Sequence, residues 1–404
     1  MANILGIKLS ELSALEILQK IEEFLQGSQS RYIVTPNPEI ILSAHDDEEF
    51  FYILNKADLS LADGFGLKIA GKIFGAKIER VTGADTTFAL LGYAARNNIK
   101  TAVINWEDGL STQEEISQAL IKKFPGLKAM VFNTSRDLEL AENLINDINN
   151  FAPKLLFCGL GFPYQEKVIY HNLKKLPSVR VALGIGGSFD FLTGKAKRAP
   201  SSWRGLGLEW LWRLIIQPNR YRRIFSATFV FLKKVIVARY INRLRYRLNV
   251  ACLLYRDTPV GKEVLIVERE DSPGHWQLPQ GGTDGEDIET AGKRELSEEI
   301  NVTSLETKGV FKNVHRYDFA ANLRKQAYLE NREYEAKKYK FDFKGQIQSL
   351  YVARFTGDES EIQIKFWDHV SWRFVPVEKL LETVHPVRQA GVKKFLDKFL
   401  SLNL

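Results

Sequence analysis

The sequence predicts an α/β protein with two domains: an N-terminal parallel sheet with helices on both faces, a basic helical segment, and a C-terminal mixed α+β domain. The chain has 404 residues, which is more than one ordinary core accommodates, so two domains are expected. The N-terminal half alternates short β-rich runs with longer helical patterns, and strands become more frequent from Leu248 onward. We therefore predict domains at 1–210 and 248–404, with the basic segment at 211–247.

Six apolar runs predict the strands of the N-terminal sheet. They are RYIVT (31–35), DLSLAD (58–63), KTAVIN (100–105), KAMVF (128–132), KLLFCG (154–159) and VRVALG (179–184). Helical patterns fall between most of them, for example at 111–124 and 137–150. Parallel sheets of this kind bind ligands beyond the carboxyl ends of their strands. Polar residues that directly follow a strand are therefore candidates for a site.

The positive charge of the chain is concentrated between the two domains. The formal net charge is +7, yet residues 211–247 hold ten Lys and Arg and no Asp or Glu. Lys233 and Lys234 interrupt the apolar run 224–241, so it is too short to span a bilayer. One interpretation is a helix lying on an anionic membrane surface, with one apolar side. That side is formed by Phe225, Phe229, Leu232 and Ile236. A linker helix packed between the domains and, less favoured, a nucleic-acid groove are the alternatives.

The cysteines and the N-terminus are typical of a cytoplasmic protein. Cys158 and Cys252 lie far apart without CxxC or Cys/His spacing, which argues against a disulfide scaffold or a zinc site. The N-terminal MANILGIKLSELS has no long apolar run, so we expect no signal peptide.

The C-terminal domain contains a helix with three glutamates on one face. Strands are predicted at NVACLLY, EVLIVER and SLYVARF, and a closing helix near 387–400. Glu295, Glu298 and Glu299 stand at i, i+3 and i+4, so their like charges repel. A divalent cation such as Mg²⁺ prefers carboxylate oxygens and would offset this repulsion. A solvated acidic face is the alternative.

The spacing around these glutamates resembles the Nudix box of diphosphate hydrolases. Glu286 is followed by seven residues, then Arg294-Glu295-Leu296, one residue, and Glu298-Glu299. WQLPQGG and GQIQSLYVARFTGDESEI (345–362) are similar to the RNA pyrophosphohydrolase and dinucleoside-polyphosphate hydrolase branch. The resemblance covers most of residues 248–400 and implies an α/β/α sandwich.

This resemblance also implies roles for individual residues. Glu295, Glu298 and Glu299 would bind Mg²⁺, and Glu361 would be a further ligand or the base that activates water. The substrate would be a nucleotide or an RNA 5′ end. Gln280, Gly281 and Gly282 would bind this substrate, because the two glycines let the backbone approach a ligand closely.

Two departures from the box leave a second interpretation open. The loop between Gly281 and Glu286 is one residue short, and Asn301 replaces the usual glycine. Asparagine also enters the left-handed conformation that ends helices, so this change is compatible with the fold. The alternative is a non-catalytic Nudix domain that senses nucleotides.

Three segments carry the candidate residues of the N-terminal domain. VTPNPEI (34–40) places Thr35 and Asn37 after a strand, and LADGFGLKIA (61–70) places Asp63 after the next one. The third, GIGGSFDFLTGKAKRAP followed by GLEWLWRL, is rich in glycine, arginine and tryptophan. Each also has a structural explanation: a turn, a helix N-cap at Asp63, or solvated arginines. GxG occurs twice without a third glycine, which disfavours a dinucleotide site.

Together with ERVTGAD (79–85) and GFPYQEK, these segments resemble the WecG/TagA/CpsF glycosyltransferases over residues 1 to about 224. The resemblance implies a Rossmann-like domain that needs no cofactor. It also implies inverting transfer of N-acetylmannosamine, or its uronic acid, from a UDP-sugar to a polyprenyl-diphosphate-linked N-acetylglucosamine.

By the same resemblance, Asp63 would be the general base, and Thr35, Asn37 and Gln165 would line the donor-sugar pocket. Arg213, Arg220 and Arg223 would bind diphosphate charge. The family tends to be rich in glycine after the 100–105 strand, whereas Trp106, Glu107 and Asp108 stand here, which bears on the identity of the donor.

The combined prediction is a bifunctional cytoplasmic enzyme, peripherally associated with the inner face of the cell membrane. Its partners would be a UDP-sugar, a polyprenyl-diphosphate acceptor and an anionic membrane surface. A homo-oligomer is left open.

Overall fold

The computed structural model describes residues 1–200, 202–203, 208–216, 219, 221–270, 272–319, 343–365 and 368–404, without the side chains of Arg213 and Arg243. The chain divides into two compact units, Met1–Val237 and Ala238–Leu404. This division falls inside the predicted basic segment 211–247. None of the described helices is long and apolar enough to cross a membrane.

A six-stranded parallel sheet organises the first unit, in the order β4-β3-β8-β7-β5-β6. Its strands are β3 (Arg31–Val34), β4 (Leu59–Ser60), β5 (Thr101–Trp106), β6 (Ala129–Thr134), β7 (Leu155–Gly159) and β8 (Val181–Gly184). All six predicted runs form strands of this sheet. The predicted α/β fold class is confirmed.

A two-stranded hairpin precedes this sheet and was not predicted. It pairs β1 (Ala2–Ile4) with β2 (Ile7–Leu9) in antiparallel register. Leu5 and Gly6 turn the chain with φ values of 52° and 87°, in the left-handed region. Three-residue strands are too short for a periodic pattern to be recognised.

Helices cover both faces of the parallel sheet. They are α1 (Ala14–Gln26), α2 (Pro38–Ala44), α3 (Glu48–Lys56), α4 (Phe65–Phe74), α5 (Gly83–Arg96), α6 (Gln113–Lys123), α7 (Glu142–Phe151), α8 (Tyr164–Asn172) and α9 (Ser188–Thr193). Ile33 packs in the apolar core shared with Ile17 and Ile21 of α1. Tyr32, the preceding residue of β3, points to the opposite face of the sheet, where its hydroxyl donates to the carbonyl of Ile53 in α3 at 2.6 Å.

The basic segment is helical and presents two apolar surfaces. Its elements are α10 (Glu209–Ile216), α11 (Tyr221–Phe225), α12 (Phe231–Ile236), two π-helical stretches at Ser226–Val230 and Val237–Ile241, and a 3₁₀ turn at Asn242–Leu244. Phe231 is fully buried and lies against Gly66 of α4. Phe225, Phe229 and Ile236 are 57%, 61% and 48% exposed. One surface therefore packs onto the first unit, and the second faces outward.

A mixed sheet between helices forms the second unit. Its order is β11-β10-β9-β14-β13, β12 also pairs with β9, and β15 with β10. The strands are β9 (Tyr246–Thr258), β10 (Gly261–Arg269), β11 (Trp276–Gln277), β12 (Gln280–Gly282), β13 (Leu305–Asp318), β14 (Gly345–Phe355) and β15 (His369–Pro376), and the helices α13 (Ile288–Ile300), α14 (Val377–Thr383) and α15 (Gln389–Leu400). Pairing is antiparallel except between β9 and β14.

The two faces of this second sheet carry separate apolar cores. Leu254 packs with Leu296 of α13 on one face, whereas Leu253 packs with Leu380 of α14 and Phe395 of α15 on the other. The predicted α/β/α arrangement is confirmed.

Candidate active sites

A cavity of about 1230 Å³ lies in the first unit, at the carboxyl ends of its strands. Residues after each of the six strands contribute to its wall: Asp63 after β4, Thr35 and Asn37 after β3, Gly186 after β8, Gln165 after β7, Trp106 at the end of β5 and Arg136 after β6. This is the position in which open parallel sheets bind ligands. Asp63, Thr35 and Asn37, which were predicted from their strands, lie in one cavity with Gln165, which the family resemblance implied.

Asp63 does not cap the helix that follows it. The N-cap position of α4 is Gly64, which has φ 120° and makes no side-chain capping bond. Instead, Oδ2 of Asp63 accepts a hydrogen bond from the amide of Gly83 at 3.2 Å. Gly83 is the first residue of the 14-residue helix α5, so the carboxylate lies at the positive end of that helix. This contact orients the carboxylate in the wall of the cavity.

Thr35 and Asn37 are held by the backbone around β3. Thr35 is 7% exposed, and its hydroxyl donates to the carbonyl of Gly184 at 3.4 Å. Asn37 is the N-cap of α2, and its Oδ1 accepts from the amide of Ile40 at 2.9 Å. Since the oxygen is used in the cap, the amide nitrogen of Asn37 is the atom that can donate to a ligand.

Gln165 is fixed in orientation by two hydrogen bonds. Its Oε1 accepts from the amide of Gly186 at 2.8 Å, and its Nε2 donates to Glu166 at 2.8 Å. Glu166 is 1% exposed, and its Oε2 has no hydrogen-bond partner among the described residues. Burial raises the pKa of Glu166 to about 7, although the bond from Gln165 opposes this shift. Sequence reasoning missed Glu166, which stands inside the quoted GFPYQEK segment.

Several cations line the same cavity. Arg80, Arg198 and Arg223 form ion pairs with Glu209, Asp85 and Glu39, respectively. Arg80 and Arg198 were not predicted, although ERVTGAD and GKAKRAP contain them. Of the predicted appendage arginines, Arg223 reaches the cavity, Arg220 lies outside the described residues, and so does the side chain of Arg213. Guanidinium groups are suited to binding phosphate oxygens, since each carries five N–H donors.

The glutamate helix of the second unit is α13. Asp287 caps its N-terminus by accepting from the amides of Glu289 and Thr290, both at 3.0 Å. Asn301 ends it in the left-handed conformation with φ 62°. The replacement of the usual glycine is therefore accommodated as predicted.

Two of the three helix glutamates are buried. Glu295 and Glu299 are each 2% exposed, whereas the Glu298 side chain is 50% exposed. Arg294 bridges two of them, because its Nη1 donates to Glu295 at 2.9 Å and to Glu298 at 3.0 Å. Its Nη2 donates to the carbonyl of Gly282 at 2.8 Å, which ties the loop to the helix.

The loop at Gln280–Gly282 is shaped around these carboxylates. A Cβ atom at Gly281 would lie 2.0 Å from the carboxylate of Glu295, so a side chain there would displace it. The amide of Gln280 donates to Glu299 at 3.2 Å. Buried carboxylate oxygens beside a backbone cradle suit a hard cation such as Mg²⁺. Within the described ranges, however, no three Asp, Glu, His or Cys side chains surround a common point as a preformed metal site.

Glu361 lies beyond the C-terminal end of α13. Its Oε1 accepts from the amides of Thr303 and Ser304 at 2.7 and 3.0 Å. Burial acts to raise the pKa of Glu361, but these amides outweigh it and hold that pKa below its usual value.

Two different protein families match the N-terminal and the C-terminal parts of the chain. Residues 2–245 match the model of the glycosyl transferase WecG/TagA/CpsF family, and residues 245–399 match that of the NUDIX domain. An N-acetylglucosaminyldiphosphoundecaprenol N-acetyl-beta-D-mannosaminyltransferase of Bacillus subtilis (strain 168) is 31% identical over 217 residues, 53% of this chain and 82% of that protein. The enzyme of the same name from Staphylococcus aureus (strain MRSA252) is 29% identical over 240 residues, 59% of this chain and 92% of its own.

Among solved structures, that of a C. elegans Ap4A hydrolase binary complex matches with 21% identity and a TM-score of 0.28. The match covers 38% of this chain and 98% of that one. The family models carry the assignment: the chain belongs to the WecG/TagA/CpsF glycosyltransferase family and continues into a C-terminal Nudix domain.

Proposed function

We propose that the first unit transfers N-acetylmannosamine or N-acetylmannosaminuronic acid from a UDP-sugar to a polyprenyl-diphosphate-linked N-acetylglucosamine, with inversion. The observation that carries this proposal is the Asp63 carboxylate in the wall of the cavity, at the N-terminus of α5. The similar enzymes of Bacillus subtilis and Staphylococcus aureus are named for a transfer of this type.

In the proposed reaction, Asp63 accepts the proton of the acceptor hydroxyl as its oxygen attacks the anomeric carbon. The bond from that carbon to the diphosphate breaks, and UDP leaves. Asn37 and Gln165 donate hydrogen bonds to the sugar. Arg80, Arg198 and Arg223 stabilise the charge that develops on the leaving diphosphate, a task suited to guanidinium groups.

The test uses the full chain with a short lipid-diphosphate acceptor, in parallel reactions with UDP-N-acetylmannosamine and UDP-N-acetylmannosaminuronic acid. Mass spectrometry should detect a disaccharide-lipid and an equal amount of UDP in one of the two reactions. Absence of product from both donors would contradict the proposal.

We further propose that the second unit hydrolyses a diphosphate bond in a nucleotide or an RNA 5′ end. Glu295, Glu298 and Glu299 would hold Mg²⁺, with Glu361 as a further ligand or a base. The cation, when bound, supplies neutralisation of the diphosphate and lowers the pKa of water. Gly281 keeps the space that Glu295 occupies, Gln280 orients Glu299 through its amide, and Arg294 holds the loop against the helix.

A panel of nucleoside diphosphates, dinucleoside polyphosphates and 5′-triphosphorylated RNA, incubated with the full chain and Mg²⁺, tests this activity. Release of phosphate or of a mononucleotide from one class is expected. The second candidate, a nucleotide-sensing domain, is favoured by the short loop before Glu286 and predicts binding without turnover.

The basic segment is proposed to bring the first unit to an anionic membrane. Its support is the outward apolar surface of Phe225, Phe229 and Ile236 beside lysines and arginines. Phe229 also lines the cavity, beside Ile224 and Leu232, so this surface is continuous with the wall of the cavity.

A further inference from the structure

Arg136 differs from the other arginines of the cavity in the kind of side chain that it contacts. Arg80, Arg198 and Arg223 each have a carboxylate partner, whereas none of the described carboxylates forms an ion pair with Arg136. The guanidinium carbon of Arg136 lies 3.5 Å from the ring centroid of Trp106. Arg136 is therefore stacked on an aromatic ring rather than neutralised.

Two further contacts fix its position. Nε of Arg136 donates to the carbonyl of Leu160 at 2.8 Å, and the ring of Tyr164 lies 5.1 Å from the guanidinium carbon on another side. A Cβ at Gly161 would lie 3.3 Å from Nη2, so the small residue leaves the terminal nitrogens room. Since Nε is already used, the terminal N–H groups are the donors that remain for a ligand.

The position of Arg136 in the sheet decides which part of a donor it meets. The guanidinium lies over the ends of β7 and β5, which are three and four strands away from β4, the strand that precedes Asp63. At about 4.8 Å per strand, this separation is roughly 14–19 Å. The reacting sugar carbon must lie near Asp63, and the two phosphates follow it directly. The nucleoside is therefore the part of the donor that reaches Arg136.

The local charge supports the same placement. Glu107 and Asp108 follow Trp106 in the same loop and are exposed. Two carboxylates beside the stack disfavour a doubly charged diphosphate there, but they do not disfavour a neutral base. A guanidinium has donors and no acceptors, so it pairs with a base that presents a carbonyl oxygen and repels an exocyclic amino group.

We propose that Arg136, held on Trp106, selects the nucleobase of the donor by donating to a keto oxygen on its pairing edge. The oxygen in question is O4 of uracil or O6 of guanine, where cytosine and adenine present an amino group; it is not O2, which uracil and cytosine share. This inference rests on the proposed nucleotide-sugar transfer, and it explains why an aromatic and acidic loop replaces the glycine-rich one expected after β5. Trp106 is a positioning residue in this scheme, because it acts through Arg136.

Calorimetry on the full chain tests the inference without using transfer. UDP, GDP, CDP and ADP are titrated in excess EDTA, which prevents metal-dependent hydrolysis. The variants are Arg136→Ala, Arg136→Lys and the control Arg96→Ala, an exposed arginine at the end of α5. Nucleotide binding to the second unit is common to all variants, so the component lost in Arg136→Ala isolates this site.

We expect that component to favour UDP or GDP over CDP and ADP by about tenfold or more, the scale of a hydrogen bond to a charged group. Comparison of the UDP and GDP titrations shows whether the preferred base is uracil or guanine. Arg136→Lys should lose most of this preference, because ammonium lacks the planar fork, and Arg96→Ala should keep it. Equal binding of all four nucleotides, or a preference that survives both Arg136 variants, would overturn the inference. Selective binding without sugar transfer would instead contradict the proposed function.

Discussion

Replacement of Asp63 by asparagine separates catalysis from structure at the proposed transferase site. Oδ2 of Asp63 accepts from the amide of Gly83 at 3.2 Å, and the amide oxygen of asparagine can accept the same bond. The variant loses the negative charge at the N-terminus of α5, an interaction of about 0.3–1 kcal/mol. This loss alone should lower the free energy of unfolding by about that amount.

The effect on chemistry should be larger. An amide cannot take the acceptor proton, so Asp63→Asn should lower the rate of sugar transfer by roughly 100-fold or more. This corresponds to about 2.7 kcal/mol or more in the activation free energy. The dissociation constant of the UDP-sugar should change by no more than a few-fold, because Thr35, Asn37 and Gln165 keep their partners.

The assay compares initial transfer rates, donor affinity and thermal unfolding. Ser13→Ala is the control, since Ser13 does not line the cavity and caps α1 by accepting from the amide of Glu16 at 3.3 Å. Loss of this cap should cost about 1 kcal/mol of stability and leave transfer within a few-fold. Normal transfer by Asp63→Asn would refute the base assignment. A variant that loses its fold would show that Asp63 is structural.

Three further predictions concern other parts of the chain. Glu298→Gln should lower the Mg²⁺-dependent hydrolysis rate by roughly 100-fold or more with little change in the melting temperature, because the side chain is half exposed; unchanged turnover would remove Glu298 from the site. Binding of the full chain to anionic vesicles should weaken as salt rises, and Lys233→Gln with Lys234→Gln should weaken it similarly; binding indifferent to both would favour the linker-helix interpretation. Burial holds the pKa of Glu166 at about 7, above its unfolded value, so its contribution to stability is present at low pH and is lost as pH rises through 7. Glu166→Gln should therefore raise the melting temperature relative to wild type more at pH 8 than at pH 5, and equal differences at the two pH values would contradict this assignment.

Much of the fold followed from patterns confined to short windows. The six strands of the first sheet are rich in apolar residues and bounded by polar ones, and all but β6 are largely buried, so short apolar runs identified them. Strand β13 (Leu305–Asp318) was missed for the opposite reason. Lys308, Lys312 and Arg316 interrupt its apolar residues. Register shifts occur between Thr307 and Gly309 and between Phe311 and His315.

The site residues that could be predicted either directly follow a strand in the sequence or recur at helical spacing. The glutamate spacing places Glu295, Glu298 and Glu299 on α13, and Asp63, Thr35 and Asn37 follow strands. Contacts between distant segments were not predictable. The bond from Gly83 to Asp63 and the stacking of Arg136 on Trp106 depend on which strands and helices become neighbours. Glu166 was missed because its burial is a property of the packed helix α8, and its acidic side chain gives no apolar signal.

Together the two proposals give one chain two chemically distinct active sites, a metal-independent transferase and a metal-dependent hydrolase. Chelation tests this combination most directly, with sugar transfer and diphosphate hydrolysis followed on the same full-length sample in Mg²⁺ and in excess EDTA. EDTA should abolish hydrolysis, because buried Glu295 and Glu299 need a cation to act on a diphosphate. It should leave transfer within about twofold, a change too small to reflect loss of a catalytic group such as Asp63. Loss of transfer together with hydrolysis, or hydrolysis that persists in EDTA, would contradict the account.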